Sequence, residues 1–251
     1  MNFDVTILGA GTGVPLPQRS PAGVLMQIGA TPLVFDLGPG TIPRLTAAGA
    51  SYRDLEFVFL THLHPDHTLD LVMLLQALNY TPGWTREKPL HLIGCRGTHA
   101  LYADLVRAYP SIAPRAFEMG VREIGAERIA FADWTIETAP TGHTDASIAY
   151  RVEAAGKVAV YTGDAKENSE LARLARGADV FICECAFPRG YATDDHMTAD
   201  AVGRVARAAH VKRVVLNHLY PPALAVDVGA QVREEFSGEI LIAVDGMRIE
   251  V

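Results

Sequence analysis

The stretch Thr61-His62-Leu63-His64-Pro65-Asp66-His67 decides how this chain folds and what chemistry its centre can support. It directly follows the apolar run from Leu55 to Leu60, which is typical of a buried strand, so it lies on the loop at that strand's carboxyl end. Imidazoles and a carboxylate crowded into so short a loop are costly to hold together, because their lone pairs repel and protonation places like charges side by side. A metal ion removes both problems, since neutral imidazole and carboxylate are common metal ligands.

The spacing of these ligands favours two metal ions over one. In extended backbone His62 and His64 point the same way, whereas Asp66 and His67 can turn toward a second point nearby. The alternative is a surface loop that happens to be rich in histidine. The strand before the cluster and the further ligand types downstream argue against that alternative.

Length and composition limit the class of protein. The chain has 251 residues, of which 49% are hydrophobic, and this is enough to bury the core of a single domain over residues 1–251. It starts straight into a strand pattern and has no apolar run of bilayer length, so we expect neither a signal peptide nor a membrane partner. The formal net charge of −7 argues against broad nucleic-acid binding.

The cysteines indicate a cytoplasmic location. Cys95, Cys183 and Cys185 give no even disulfide framework, which is typical of a reducing compartment. Cys183 and Cys185 lie on one face of a predicted strand, and we interpret them as core thiols rather than metal ligands.

Hydrophobic periodicity predicts strands and helices along the whole chain, with strand–helix alternation in the last third. The predicted strands are 3–8, 23–28, 32–36, 55–60, 90–94, several short ones between 115 and 160, 179–183, 213–217 and 239–243. The predicted helices are 41–48, 67–78, 98–109, 168–176, 198–209 and 226–236.

Two predicted loops have a possible functional interpretation. Gly9 to Gly13 is similar to a dinucleotide-binding loop, but Val14 stands where a glycine is needed and Pro15 forbids the following helix, so we predict an active-site loop. The segment 79–89 contains Trp84, and we interpret it either as a cover over the site or as ordinary packing.

The further ligand candidates lie near the ends of later strands. His143 is predicted to complete the first metal, and His218 is the last ligand. Asp164 either bridges two ions or caps the helix that follows. His196 is a cap-region residue or a proton donor, and Asp36 is favoured as an anchor for a metal-bound histidine over a helix cap.

Taken together, the chain resembles the metallo-β-lactamase superfamily, because a His-x-His-x-Asp-His motif is followed in order by three further ligands. Within it the chain is most similar to the ribonuclease Z and arylsulfatase-like branch, which includes small cyclic phosphodiesterases. The stretches that support this branch are Leu8–Gly13 with Pro15, Phe35–Gly40, and His196-Met197-Thr198 ahead of Asn217-His218.

The resemblance implies an α/β fold of the α+β type: a four-layer αββα sandwich of two mixed sheets, with helices on the outer faces and two metals at one edge. By resemblance, His196 assists the leaving group, and a homodimer is possible. The ligand sets that the resemblance implies are His62, His64 and His143 for the first ion, Asp66, His67 and His218 for the second, and Asp164 as the bridge.

Two departures from the branch concern its substrate. Ribonuclease Z enzymes carry a tRNA-binding arm, usually between the third histidine and the bridging aspartate, and here the chain from His143 to Asp164 is long enough only for two short strands. The branch also pairs its leaving-group histidine with a glutamate shortly before that aspartate, where this chain has Tyr161.

The function expected from these residues is hydrolysis by a metal-bridged hydroxide, with Asp66 orienting the water or accepting its proton and His196 protonating the leaving group. The leading substrate is a small or exposed phosphodiester. A carbon ester, lactone or aryl sulfate is the alternative, and a non-catalytic metal-bearing binding protein is a third hypothesis. Zinc is the expected metal, although manganese or iron accepts the same donors.

Overall fold

The computed structural model describes residues 2–251, which form two mixed seven-stranded sheets. The first sheet contains, in spatial order, β14 (Arg248–Glu250), β1 (Phe3–Gly9), β2 (Gly23–Ile28), β3 (Thr31–Phe35), β4 (Phe57–Leu60), β5 (Leu90–Gly94) and β6 (Met119–Glu123). The second contains β13 (Glu239–Ile242), β12 (Arg213–Asn217), β11 (Val180–Glu184), β10 (Lys157–Tyr161), β9 (Ile148–Ala154), β8 (Trp134–Pro140) and β7 (Arg128–Ala130).

Helices cover the outer faces of both sheets, so the predicted four-layer αββα sandwich is confirmed. They are α1 (Thr41–Ala47), α2 (Pro65–Thr68), α3 (Asp70–Tyr80), α4 (Thr98–Ala108), α5 (Ser169–Leu174), α6 (Ala199–Ala209), α7 (Pro221–Leu224) and α8 (Val228–Arg233). Helices α1, α3 and α4 bury apolar side chains on the first sheet, and α5, α6 and α8 do so on the second. A third apolar core fills the space between the sheets.

The central core also fixes the edge where the predicted ligands lie. The hydroxyl of Tyr150, on β9 of the second sheet, donates to the carbonyl oxygen of Leu60 at the end of β4, at 2.9 Å. The next residue along the chain, Thr61, lies just beyond β4, and its carbonyl oxygen accepts from the Ile148 amide at 3.0 Å. These bonds join the beginning of β9 in the second sheet to the end of β4 in the first, so the two sheets meet at the edge where the histidine motif follows β4.

Each sheet combines antiparallel pairs with three parallel pairs, and the parallel strands direct their carboxyl ends toward the same edge. The predicted helix over 67–78 is two helices, α2 and α3, that meet at Leu69. The helix is interrupted because the Asp70 amide donates to the Leu37 carbonyl at 2.8 Å, outside the helical pattern.

The segment 79–89 does not cover the ligand cluster, so the first interpretation of it is wrong. Its first two residues complete α3, and Trp84 packs edge-on against Tyr52, with ring centroids 6.5 Å apart. Arg86 is buried and donates to the carbonyl oxygens of Leu55 at 2.6 Å and Pro89 at 2.7 Å. Since Leu55 precedes β4 and the histidine motif follows it, the segment lies at the opposite end of that strand.

Replacing Arg86 with alanine is expected to lower the free energy of unfolding by about 3 kcal/mol, because buried carbonyl groups lose a charged donor. The value of kcat/KM is expected to stay unchanged, since the segment is remote from the ligands. Urea unfolding and steady-state kinetics test this, with the exposed Arg96→Ala as the matched control. A drop in kcat/KM for Arg86→Ala alone would restore the cover interpretation.

Cys95, Cys183 and Cys185 are buried free thiols, as the sequence predicts. None of them joins a group of possible metal ligands among residues 2–251. Among these residues, none of the helices has both the length and the apolar character that a bilayer crossing requires.

Candidate metal centre

The seven predicted ligands converge at the shared edge of the two sheets. They lie in the segments that follow β4, β8, β10 and β12, with Asp66 and His67 in the short helix α2. Their nitrogen and oxygen atoms form two groups in which every donor atom lies within 4.8 Å of the others: His62, His64, His143 and Asp164 in the first, and Asp66, His67 and His218 in the second.

The first group has its imidazole lone pairs aimed at one point. Nδ1 of His143 donates to the carbonyl of Asp195 at 2.8 Å, so Nε2 is the ring nitrogen left to bind a metal. Nε2 of His62 and Nε2 of His143 each lie 3.1 Å from Nδ1 of His64. Nδ1 of His64 can donate to only one of these two nitrogens. Hydrogen bonds among the three rings therefore leave at least one nitrogen lone pair without a donor. Burial, as the first cause, lowers the pKa of both His62 and His64, which keeps them in the neutral ligand form.

The second group is arranged around a second point. Oδ2 of Asp66 lies 3.4 Å from Nε2 of His218 and 3.8 Å from Nε2 of His67. Burial raises the pKa of the Asp66 carboxyl, but the neighbouring His218 and His67 outweigh it and lower the pKa to about 2, so the carboxylate is ionised. The backbone of His218 has φ of +53°, a strained value for a side-chain-bearing residue that is typical of functional sites.

Asp164 lies between the two groups and presents one oxygen to each. Its Oδ2 is 3.8 Å from Nε2 of His62 and 3.7 Å from Nε2 of His143, whereas Oδ1 is 3.3 Å from both Nε2 of His67 and Nδ1 of His218. Burial disfavours its charge, but His218 and His67 hold the pKa of the carboxyl well below its usual range. Asp164 does not cap the following helix, because the side chain of Asn168 does so.

Unpaired atoms in the centre fit a bound metal. Oδ1 of Asp164, Nε2 of His67 and Nδ1 of His218 are buried without a hydrogen-bond partner, which is costly unless another group binds them. Metal–ligand bonds of about 2.0–2.1 Å in a tetrahedral site place the ligand atoms about 3.3 Å apart. The closest separations here, 3.1 to 3.3 Å, agree with that spacing.

Glycines bring the ligand loops together. Gly163, immediately before Asp164, has φ of +57°, and a Cβ there would clash with the side chain of Thr61. At Gly13 a Cβ would lie 3.4 Å from Oδ2 of Asp66, so the predicted active-site loop does approach a ligand.

Asp36 is linked by hydrogen bonds to both groups, which agrees with the favoured interpretation of it as an anchor for a histidine. Its Oδ2 accepts from Nδ1 of His67 at 2.7 Å and from the hydroxyl of Tyr161 at 2.9 Å. The hydroxyl of Thr61 also donates to Asp36. Its hydrogen is therefore not available to Nδ1 of His62, which lies 3.1 Å away, so that nitrogen donates to the hydroxyl oxygen. Nε2 of His62 then keeps the lone pair. One buried carboxylate therefore fixes a histidine in each group.

Replacing Asp36 with asparagine is expected to weaken metal binding about 10- to 100-fold, because His67 and Thr61 lose their anionic acceptor. Asparagine tolerates the φ of +59° at this position, so the backbone stays in place. Competition with a chromophoric chelator measures the affinity. The matched control is Asp179→Asn, since Asp179 accepts from the Val158 amide at 2.8 Å before β11, away from the ligands. Equal affinities in the two variants would contradict the anchoring role.

His196 has a carboxylate partner, so the expectation that it lacks one is wrong. Its Nδ1 lies 3.0 Å from Oε2 of Glu184, at the end of β11, downstream of Asp164 and not at Tyr161. Burial lowers the pKa of His196, but the bond to Glu184 outweighs it and raises the pKa to about 9. The ring is thereby oriented and kept protonated beside Asp164, whose Oδ2 is 4.0 Å from Nδ1.

The signal for Glu184 was present in the sequence. A glutamate flanked by Cys183 and Cys185 in an apolar strand is unusual, because a buried carboxylate needs a partner. The sequence does not show which partner, since the loop that carries His196 folds back over the strand end only in three dimensions.

One arginine and three histidines of the chain lie outside the centre. The guanidinium of Arg19 donates to the carbonyl oxygens of Ala10 at 3.3 Å and Ala243 at 2.8 Å, so it secures the loop instead of reaching the ligands. Among the described residues, His91, His99 and His210 join none of the possible metal groups.

Comparisons with known proteins identify the family of the chain. The model of the Beta-lactamase superfamily domain matches residues 33–219, which include every candidate ligand. Ribonuclease Z of Mycobacterium bovis is 30% identical over 277 residues, covering 99% of this chain and 98% of that protein.

Two solved structures share the fold. The metallo-beta-lactamase fold protein YhfI from Bacillus subtilis superposes with a TM-score of 0.86 at 24% identity, over 100% of both chains. The short form of human tRNase Z superposes with a TM-score of 0.80 at 22% identity, over 98% of both chains. On the match of its sequence to the family model and to a near-full-length relative, the chain belongs to the beta-lactamase superfamily.

Proposed function

We propose that this protein hydrolyses phosphodiester bonds with two divalent metal ions held by the two ligand groups, His62–His64–His143 and Asp66–His67–His218, with Asp164 between them. The single observation that carries the proposal is the position of Asp164, which offers one carboxylate oxygen to each group. Zinc suits the mixed imidazole and carboxylate donors, and manganese or iron accepts them too.

The phosphodiester class rests on the relatives. Ribonuclease Z of Mycobacterium bovis aligns over nearly its full length. That alignment spans 277 positions for a chain of 251 residues, so the relative carries segments that this chain lacks. In this chain only a tight hairpin, β9 and β10, occupies the space between His143 and Asp164. We therefore favour a small phosphodiester, or one exposed at the end of an RNA strand, over a folded tRNA.

When bound, two divalent ions lower the pKa of a water molecule toward about 7 and neutralise charge on the attacked phosphate. Asp66 is ionised and more exposed than Asp164, so its free oxygen can orient the attacking water and accept its proton. Glu184 holds Nδ1 of His196, which leaves Nε2 to donate a proton to the departing alkoxide. No serine or cysteine nucleophile is required.

The partner of the chain is proposed from the family resemblance, and its location is proposed from its cysteines. Homodimerisation rests on the family resemblance alone. A cytoplasmic location is proposed from the free thiols.

A parallel assay tests the reaction class. Zinc- and manganese-loaded protein is incubated with bis-p-nitrophenyl phosphate, an aryl sulfate, a carbon ester and a lactone. Hydrolysis of the phosphodiester is expected to be fastest, to stop when a chelator removes the metal and to return when metal is restored. Faster turnover of the sulfate, ester or lactone would favour the alternative hydrolase, and metallated protein that turns over none of them would favour a binding protein.

A further inference from the structure

Three aromatic rings form a continuous stack beside the centre. Phe187 and Tyr191 are parallel, with centroids 4.2 Å apart and an interplanar angle of 5°. Phe187 also stacks with Tyr220, at 5.2 Å and 21°. We call Phe187, Tyr191 and Tyr220 the aromatic stack. None of these residues is needed to bind metal or to move a proton in the proposed mechanism.

The aromatic stack is continuous with the residues that act on the substrate. The ring of Tyr220 lies 5.6 Å from that of His196 and 5.5 Å from that of His218, edge-on to the latter. Phe187 lies 5.9 Å from His196, also edge-on. The stack therefore begins next to the proposed proton donor, on the side where the leaving group departs.

Backbone hydrogen bonds hold the stack in place. The amide of Tyr220 donates to the Ala186 carbonyl at 3.2 Å, and the carbonyl of Phe187 accepts from the Ala199 amide at 2.9 Å. The amide of Tyr191 closes a turn onto the Pro188 carbonyl at 3.2 Å. A surface fixed in this way loses little conformational entropy when a ligand ring stacks on it.

Tyr191 is the outer ring of the aromatic stack. It is open to solvent and lies in surroundings that do not attract phosphate. Tyr191 is 44% exposed, although its ring is stacked on Phe187. The nearby cation, Arg189, is already paired with Glu234. Asp194 and Asp195, on the same loop, are exposed and add negative charge. These features suit an uncharged planar ring and not a polyanionic strand.

We propose that the aromatic stack is a binding site for a planar ring, a nucleobase or an aryl group, attached to the phosphate on the leaving-group side. The proposal rests on the proposed function, because a phosphate bound at the metal centre would hold the attached ring near the aromatic stack. It adds a substrate class: phosphodiesters with a ring on the departing alcohol are preferred over aliphatic ones. Stacking of one base on an aromatic side chain corresponds to about a fivefold to hundredfold gain in affinity.

Calorimetric titration of the zinc-loaded full chain with matched ligands tests the site. Adenosine 5′-monophosphate is compared with ribose 5-phosphate, and phenyl phosphate with methyl phosphate, so that the two arms separate a nucleobase from a simple aryl ring. The wild type is expected to prefer the ring-bearing member of at least one pair by about fivefold or more. Tyr191→Phe should keep this preference, because the phenylalanine ring can stack in the same way. Tyr191→Ala should lose most of it, because the phosphate anchors the ligand ring and prevents it from moving inward to stack on Phe187 instead.

Tyr109→Ala is the matched control, since Tyr109 is 53% exposed at the end of α4 and lies outside the stack. Equal affinity of the wild type for both members of both pairs would overturn the proposal, as would an undiminished preference in Tyr191→Ala. The test is separate from hydrolysis: an intact ring preference without phosphodiester turnover contradicts only the proposed function, and turnover without a ring preference contradicts only the stack.

Discussion

Replacing His64 with alanine is expected to remove bound metal and to lower kcat/KM for a phosphodiester at least about a thousandfold, which corresponds to several kcal/mol of lost charge stabilisation. The reason is geometric: Nδ1 of His64 lies 3.1 Å from Nε2 of both His62 and His143, so it is the common neighbour of the first group. Its ring is also the most exposed of the three, so its loss should change the free energy of unfolding of metal-free protein by no more than about 0.5 kcal/mol.

Elemental analysis, kinetics and urea unfolding of metal-free protein check these three expectations together. His99→Ala is the matched control, because His99 is exposed and joins neither ligand group. A His64→Ala protein that keeps a full complement of metal would show that His64 is not a ligand.

Replacing His196 with alanine is expected to have the opposite combination of effects: metal content is retained, while kcat falls about 10²- to 10⁴-fold. Glu184 holds Nδ1 of His196 at 3.0 Å, which leaves Nε2 to donate a proton in the proposed mechanism. The loss should be greatest with poor leaving groups, because an acidic phenol departs without protonation. Glu184→Gln should reproduce the pattern in a milder form, since the amide keeps the contact but not the charge.

A series of phosphodiesters with leaving groups of increasing pKa measures this dependence. Parallel losses across the whole series would remove the acid role of His196. Loss of metal from His196→Ala would instead make the residue a ligand.

The positions of the candidate ligands could be predicted from sequence because each follows the end of a strand within a few residues, and the strand pattern itself sets those positions. The apolar run before Thr61 and the strand that ends at Asn217 were both recognisable, and parallel strands of a sheet direct their carboxyl ends to one edge. Asp36 was recognisable for the same reason, as a carboxylate directly after β3.

Contacts between distant loops could not be predicted in this way. Glu184 and His196 meet because the loop after β11 folds back, and no local period encodes that return. The segment 79–89 was ambiguous because Trp84 suits both a lid and a core, and only the hydrogen bonds of Arg86 place it at the far end of β4. The aromatic stack could not be predicted either, because its three rings come together only in the tertiary structure.

The most direct measurement is elemental analysis of natively purified protein, combined with anomalous scattering from its crystals. Two transition-metal ions per chain are expected, about 3.5–4 Å apart, one beside His62, His64 and His143 and the other beside Asp66, His67 and His218. A native protein without transition metal, or with a single ion that Asp164 does not contact, would contradict the two-metal centre.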